Sequence, residues 1–325
     1  MIQFDAAWPI EPGSFRTVGS GLSRPECVIA LGNGELFVSC RGAGITWILP
    51  NGSQSIIGAH AQVLGHEFVP NGFCMLENGD FLIANIGEGG GVWRLARDGS
   101  LRPFLLEVDG VALSAANFVL RDAVGRIWIT VSTKLLPRFL SYRSNVADGF
   151  VVLVDAKGAR IVADGLAFAN ELRVDAAGNT LYVSETFGRR IARFELSPEG
   201  LLSQRAVFAE FGRGTFPDGF ALDAEGCLWV TSIVSNRLYR VTPSGKISLL
   251  LEDSHASHID TVENALTGER MGREHFYTMK SRELKNIASI AFGGADFKTV
   301  YLGSLLDDRL ISFRTAVAGA PMTQR

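Results

Sequence analysis

One phrase recurs along this chain: a polar anchor residue, an apolar strand, a glycine eight residues after the anchor, and a second apolar strand. Successive anchors lie 45, 46, 53 and 48 residues apart. The five anchor–glycine pairs are Glu26 with Gly34, Asn71 with Gly79, Asn117 with Gly125, Asn170 with Gly178, and Asp218 with Gly226. A degenerate sixth copy begins at Ile287. Five copies with one internal spacing indicate a structural repeat.

Each copy is followed by a further pair of apolar segments joined by a glycine-containing turn, so one repeat supplies four strands. Four strands in about 45–50 residues are typical of a propeller blade. The 36 Gly and 11 Pro among 325 residues oppose long helices. The sequence therefore predicts an all-β fold, a six-bladed β-propeller with four-stranded antiparallel blades, formed as one domain by residues 1–325.

Two insertions interrupt the repeats, near residues 135–149 and 253–285. The first is predicted to form a lid beside the central pore. The second contains the longest segments free of Gly and Pro and is predicted to hold the one sizeable helix. Four polar residues there match no metal motif and are interpreted as an exposed loop: Glu252, His255, His258 and Asp260.

Bulk properties narrow the functional classes. The net charge of −3, with interspersed signs, lacks the basic footprint of a nucleic-acid-binding protein. No run of 18 apolar residues and no signal-peptide pattern occurs, so we expect a cytoplasmic protein without membrane association. The four cysteines form no C-x-x-C motif and are predicted to be buried thiols. A small-molecule substrate and a monomer or weak homodimer are expected.

The anchors suggest a cation site. Equivalent positions of a propeller surround one axis, so the five anchors should form a ring of carboxylate and amide oxygens on one face. Such hard ligands suit Ca²⁺, Mg²⁺ or Mn²⁺. Glu26 and Asp218 would balance a divalent charge, and without a cation one carboxylate would be pushed towards protonation. The alternative is that the anchors merely cap strands and turns.

Several motifs resemble a known family. Arg24-Pro25-Glu26 opens the first repeat, and Ala169-Asn170-Glu171 precedes the phrase from Gly178 to Val183. The segment from Pro217 to Val230 and the segment from Phe292 to Tyr301 carry further family phrases. Over about residues 21–314, the chain resembles the SMP-30/gluconolactonase/luciferin-regenerating-enzyme family of six-bladed propellers.

The resemblance implies roles for individual residues. Glu26, Asn170 and Asp218 match the family's metal ligands, and Asn117 matches an Asn that contacts the substrate or also the metal. The family's Arg and Asp around that Asn are replaced by Ala115 and Phe118. The resemblance gives the Arg a role in recognising sugar-lactone oxygens, so its replacement by Ala115 argues against a sugar lactone as the substrate.

The predicted function is a divalent-metal-dependent hydrolase, a lactonase that opens a small lactone ring with metal-activated water. Asp218 is the predicted general base and Asn117 the residue that orients the substrate. Asn117, Asn71, Glu171 and Tyr142 are predicted substrate contacts. Ca²⁺ is the expected metal, with Mg²⁺, Mn²⁺ and Zn²⁺ as alternatives. Three other readings stay open: hydrolysis of another ester or phosphoester, a strictosidine-synthase-like enzyme, and a non-catalytic ligand-binding propeller.

Overall fold

A computed structural model describes residues 3–4, 10, 12–58, 60 and 62–320. Six sheets, each with four antiparallel strands, follow one another around a ring in the described chain, which confirms the predicted six-bladed propeller. Two short hairpins, Gln62–Val63 with His66–Glu67 and Glu107–Val108 with Val111–Ala112, lie outside the blades. We number the sheets blade one to blade six. Blade one comprises Val28–Ala30, Leu36–Cys40, Gly44–Ile48 and Gln54–Ile57. Blade two comprises Pro70–Met75, Phe81–Asn85, Val92–Leu95 and Leu101–Leu105. Blade three comprises Ala116–Arg121, Ile127–Val131, Gly149–Asp155 and Gly158–Leu166.

Blade six is assembled from both ends of the chain. Its outermost strand, Arg16–Val18, pairs antiparallel with Leu310–Arg314. Its inner strands are Ile287–Gly293 and Thr299–Ser304. Blade four comprises Ala169–Val174, Thr180–Glu185, Arg190–Leu196 and Leu202–Glu210. Blade five comprises Phe216–Leu222, Leu228–Ile233, Arg237–Val241 and Ile247–Glu252. Blade five gains a short parallel strand, Gln3–Phe4. Hydrogen bonding between the first and last blade strands closes the ring and covers a sheet edge.

The first strand of a blade lies next to the axis. From blade two onward, each first strand contacts the first strand of the next blade, and that of blade six contacts that of blade one. Blade one meets blade two through its second strand. The turns after these first strands require glycine, because all five repeat glycines have φ between +73° and +87°. The repeated glycine is therefore the turn residue of each inner hairpin.

One or more hydrogen bonds tie the blades together at each junction near the axis, and at every junction one acceptor is an atom of the next blade's anchor position. The six donor–acceptor pairs are Arg24 Nη2 with Asn71 Oδ1, Asn71 Nδ2 with Asn117 O, Thr130 Oγ1 with Asn170 O, Ser184 Oγ with Asp218 O, Thr231 Oγ1 with Ala288 O, and Ser289 Oγ with Glu26 O. The anchors are thus structural residues as well as site candidates.

The two insertions pack on each other. The one near 135–149 contains the 3₁₀ helix Arg138–Ser141, and the one near 253–285 contains the helices Ala256–Thr267 and Glu274–Tyr277. Arg143 Nη1 donates to the Met271 carbonyl oxygen at 2.9 Å. Asn145 Nδ2 donates to Glu269 Oε1 at 2.9 Å. The other helical segment among the described residues is the 3₁₀ turn Pro12–Ser14.

The long helix confirms the sizeable helix predicted for this region. The exposed loop predicted for the same residues is wrong in part, since Glu252 ends a strand and His258 is buried on the helix. The reason is an apolar face, with Ile259, Val262 and Leu266, that packs towards blade five.

All four cysteines are buried and unpaired, as predicted. Among the described residues, no helix has both the length and the hydropathy needed to cross a membrane.

The junction hydrogen bonds should contribute measurably to stability. Thr231 is fully buried, accepts from the Gly219 N–H at 3.2 Å and lies 2.9 Å from the Ala288 carbonyl oxygen. Thr231→Val keeps the shape and leaves these buried groups unpaired, so we expect a loss of about 1–3 kcal/mol in the free energy of unfolding. Urea unfolding measures it. Thr17→Val, on the exposed outer strand of blade six, is the matched control and should stay within about 0.5 kcal/mol. Equal losses of unfolding free energy in both variants would contradict the stabilising role given to the Thr231 hydrogen bonds.

Candidate metal centre and active-site cavity

A cavity of about 350 Å³ lies where the inner strands begin. Four predicted site residues line it together: Glu26, Asn117, Asn170 and Asp218. The ring of anchors inferred from the sequence therefore converges on one space. Tyr142, predicted as a substrate contact, lines the same cavity.

Local irregularities in the strands direct these side chains. In blades three, four and five the register between the first two strands shifts at the anchor itself, next to Asn117, Asn170 and Asp218. A bulge of this kind re-aims a side chain out of the regular alternation of a strand. The close approach of blades also explains the glycine after Asp218, because a Cβ at Gly219 would lie 2.6 Å from the Ala288 carbonyl oxygen.

The two asparagines are held by hydroxyl groups. Asn117 Nδ2 donates to Ser132 Oγ at 3.0 Å, and Asn170 Nδ2 donates to Thr186 Oγ1 at 3.0 Å. Thr186 in turn donates to the Pro217 carbonyl oxygen at 2.8 Å. Because the amide nitrogens serve as donors, the side-chain oxygens remain as acceptors, which is the orientation a cation requires.

Glu26 and Asp218 form a buried acidic pair, with 7% and 4% exposure. Burial, together with the charge of Glu26, raises the pKa of Asp218 well above its ordinary value. The Arg24 and Arg138 guanidiniums and a hydrogen bond with Asn170 oppose that rise. A cation held between the two groups would relieve the burial and the neighbouring charge that disfavour the ionised form of Asp218.

The donor set fits a divalent cation. The Oε2 atom of Glu26 is buried and accepts no hydrogen bond, although the Arg24 guanidinium contacts it as an ion pair. Glu26, Asn170, Asp218 and Asn117 offer only carboxylate and amide oxygens, as hard cations prefer.

Sequence reasoning assigned no role to Arg24. Its backbone takes the left-handed conformation at φ +50°, and its side chain reaches both Glu26 and Asn71, donating to Asn71 Oδ1 at 3.1 Å. A positive φ at a non-glycine residue has no signal in the sequence pattern. Arg24 thus supplies a guanidinium group to this cavity.

Two predicted substrate contacts lie outside the cavity lining. Asn71 is behind Asn117 and donates to its side-chain oxygen at 3.1 Å. Glu171 pairs with Arg173, whose guanidinium stacks 4.6 Å from the Phe118 ring centre. Arg173 and Phe118 line a separate space of about 80 Å³, so Glu171 is directed away from the anchors' cavity.

One wall of the cavity is aromatic. Tyr142 stacks on Phe187 at 4.9 Å between ring centres, and meets Phe168 and Phe276 edge-on at 5.4 Å each. Phe276 belongs to one insertion and Tyr142 to the other, so the insertions form part of the wall. The predicted lid near 135–149 therefore lies beside the cavity.

A second acidic cluster, Asp223, Glu225 and Cys227, is already engaged in structural contacts. The Asp223 carboxylate accepts from Trp229 Nε1 at 2.9 Å and from Arg240 Nε at 2.8 Å. Burial raises the pKa of the Cys227 thiol to about 11, so it stays protonated near neutral pH. This cluster stabilises blade five and offers a poor thiolate ligand.

Comparison with known proteins shows that this chain is similar to two lactonases and to a calcium-binding protein. A 6-deoxy-6-sulfogluconolactonase of Pseudomonas putida is 26% identical over 241 residues, covering 73% of this chain and 69% of that protein. Among solved structures, a gluconolactonase of Xanthomonas campestris has a TM-score of 0.65 at 19% identity, covering 97% of this chain and 94% of the other. The calcium-binding protein regucalcin of Agrobacterium tumefaciens has a TM-score of 0.62 at 17% identity, with 94% and 97% coverage.

At these identities the solved structures support the fold alone. The family assignment comes from residues 36–252, which match the profile described as the SMP-30/gluconolactonase/LRE-like region. That segment spans blades one to five, from the second strand of blade one to the end of blade five, and contains three of the four anchors that line the cavity. The chain belongs to the SMP-30/gluconolactonase/LRE-like family.

Proposed function

We propose that this protein is a divalent-cation-dependent hydrolase that opens lactone rings. The observation that carries the proposal is the convergence of two buried carboxylates and two oriented amides on one cavity. Family membership and the relative described as a 6-deoxy-6-sulfogluconolactonase support the lactone as the substrate class.

In this proposal Glu26, Asn170 and Asp218 hold the cation, with Asn117 at the side of the substrate. When bound, the cation supplies a Lewis acid that polarises the lactone carbonyl. Carboxylate and amide oxygens favour Ca²⁺, and the relative regucalcin is described as a calcium-binding protein. Mg²⁺, Mn²⁺ and Zn²⁺ are the alternatives to test.

Asp218 is the proposed general base. It takes a proton from a water molecule whose oxygen attacks the lactone carbonyl carbon. The bond between the carbonyl carbon and the ring oxygen then breaks, and the ring oxygen receives the proton from Asp218, which gives a hydroxy acid. The positive charges of Arg24 and Arg138 favour the ionised form of Asp218 that this step needs.

The neighbouring anchors have supporting roles. Asn117 is held between Ser132 and Asn71, so its side chain can orient the substrate without rotating. Asn71 acts through Asn117, which makes it a positioning residue. Glu171 forms an ion pair with Arg173 and so positions the guanidinium group that packs on the Phe118 ring.

Cation dependence is the first test. After dialysis against EDTA, proton release from a panel of lactones, carboxyl esters and phosphoesters should be lost and should return with Ca²⁺, Mg²⁺, Mn²⁺ or Zn²⁺. Asp218→Asn should lower kcat at least about 100-fold because the general base is gone. Glu26→Gln should weaken cation binding, measured by calorimetry, roughly tenfold because one ligand charge is lost.

The control is Glu225→Gln, in the exposed part of the blade-five cluster, which should leave cation affinity unchanged. Cation-independent turnover, or equal cation binding by Glu26→Gln and the unmodified protein, would contradict the proposed metal centre. Turnover of phosphoesters alone would replace the lactone as the substrate class.

The acidic pair also predicts how stability depends on pH without a cation. Because the pKa of Asp218 in the folded protein is raised above 3.8, the folded state binds this proton more tightly than the unfolded chain does. Stability should fall as the pH rises from 3.8 through the raised pKa. Asp218→Asn removes that loss, so in EDTA it should unfold at higher urea than the unmodified protein at about pH 8, and equally near pH 3.

Asp164→Asn, at an exposed position of blade three, is the matched control and should show no pH-dependent difference. An Asp218→Asn protein that is no more stable at the higher pH would contradict the raised pKa of Asp218.

A further inference from the structure

The charges that line the cavity are unevenly paired. Four arginines and four acidic residues face it. Arg24 is paired with Glu26, and Arg41 forms a two-point ion pair with Glu67 at 2.6 and 2.7 Å. The two other guanidiniums, Arg138 and Arg273, form no ion pair within the part of the chain that the structure describes.

Arg138 is close to the reacting centre. Its positive charge acts on the Asp218 carboxylate, and its Nε atom is buried without a hydrogen-bond partner. A buried guanidinium N–H that stays unpaired costs free energy, and a ligand that accepts its hydrogen bond removes that cost. Because Arg138 lines the cavity, a bound substrate is in the right place to accept this hydrogen bond.

Arg273 stands on the other insertion, directly before the helix Glu274–Tyr277. It also lines the cavity and is exposed to solvent. The contacts of Arg143 with Met271 and of Asn145 with Glu269 hold the two insertions together. Arg138 and Arg273 are therefore carried by one joined cap, outside the repeats that supply the cation ligands.

The balance of charge around the cavity also favours an anionic ligand. With four positive and four negative side chains around the cavity, a bound divalent cation leaves two positive charges in excess. Guanidinium groups bind planar oxyanions through paired, charge-assisted hydrogen bonds. The aromatic wall of Tyr142 and Phe276 accepts the apolar part of a small ring.

We infer that the substrate is a lactone that carries an acidic oxyanion group, a carboxylate or a sulfonate, bound by Arg138 and Arg273 of the cap. This inference rests on the proposed lactone hydrolysis and adds the chemical class of the substituent. The cation ligands act on the ring carbonyl, and the two arginines select the substituent.

The experiment compares matched lactones: 5-oxotetrahydrofuran-2-carboxylate, its neutral carboxamide, and the corresponding sulfonate. We expect kcat/KM at least about tenfold higher for the carboxylate or the sulfonate than for the amide, and the preferred anion identifies the substituent. In the Arg138→Gln, Arg273→Gln double variant the ratio of kcat/KM for the anion to kcat/KM for the amide should fall roughly 10- to 100-fold, mainly through the KM of the anion. Arg138→Lys, with Arg273 intact, should restore part of the preference.

Arg102→Gln, on the exposed outer strand of blade two, removes the same charge far from the cavity and should leave the preference intact. Turnover of the amide equal to that of both anions, or an equal loss for charged and neutral lactones in the double variant, would overturn the inference while lactone hydrolysis stands.

If no lactone is opened, the proposed function fails, and calorimetry of the same ligands still decides the inference. Tighter binding of an anion than of the amide, lost in the double variant, would support an anion subsite. Equal binding would overturn it.

Discussion

The whole structure depends on the hydrogen bonds that join neighbouring blades at the axis. A four-stranded blade cannot bury both of its faces alone, so its stability comes from the next blade. Hydroxyl and amide donors reach the anchor position across each junction, as Thr231 reaches Ala288 and Ser289 reaches Glu26. Because the acceptor is in most cases a backbone carbonyl, the link holds even where the anchor side chain changes.

This arrangement leaves the anchor side chains free for chemistry. Their backbone is committed to the ring, and bulges turn Asn117, Asn170 and Asp218 into the cavity. As a result, burial together with the charge of Glu26 makes Asp218 resist ionisation. This propeller thus concentrates negative charge at its axis, which a bound cation would relieve. The rigidity of the ring and the buried negative charge both arise because the anchor residues meet at the axis.

Much of the fold could be predicted because it rests on local periodicity. A glycine eight residues after each anchor requires the left-handed turn conformation that the inner hairpins use, as at Gly125 with φ +87°. The same spacing located the four residues that share the cavity. It could not show that Glu171 turns towards Arg173, because its direction depends on the bulge and on packing against Gly219.

The sequence by itself determined the repeat, the number of blades and the register of the anchors, since these follow from spacing along the chain. Only the tertiary structure decided which other groups meet those anchors. Arg24 reaches Glu26 through a strained backbone, and Arg138 and Arg273, which lie 135 residues apart in the chain, come from two different insertions. Contacts between residues so distant in the chain leave no periodic signal, because they arise from how loops fold over the closed ring.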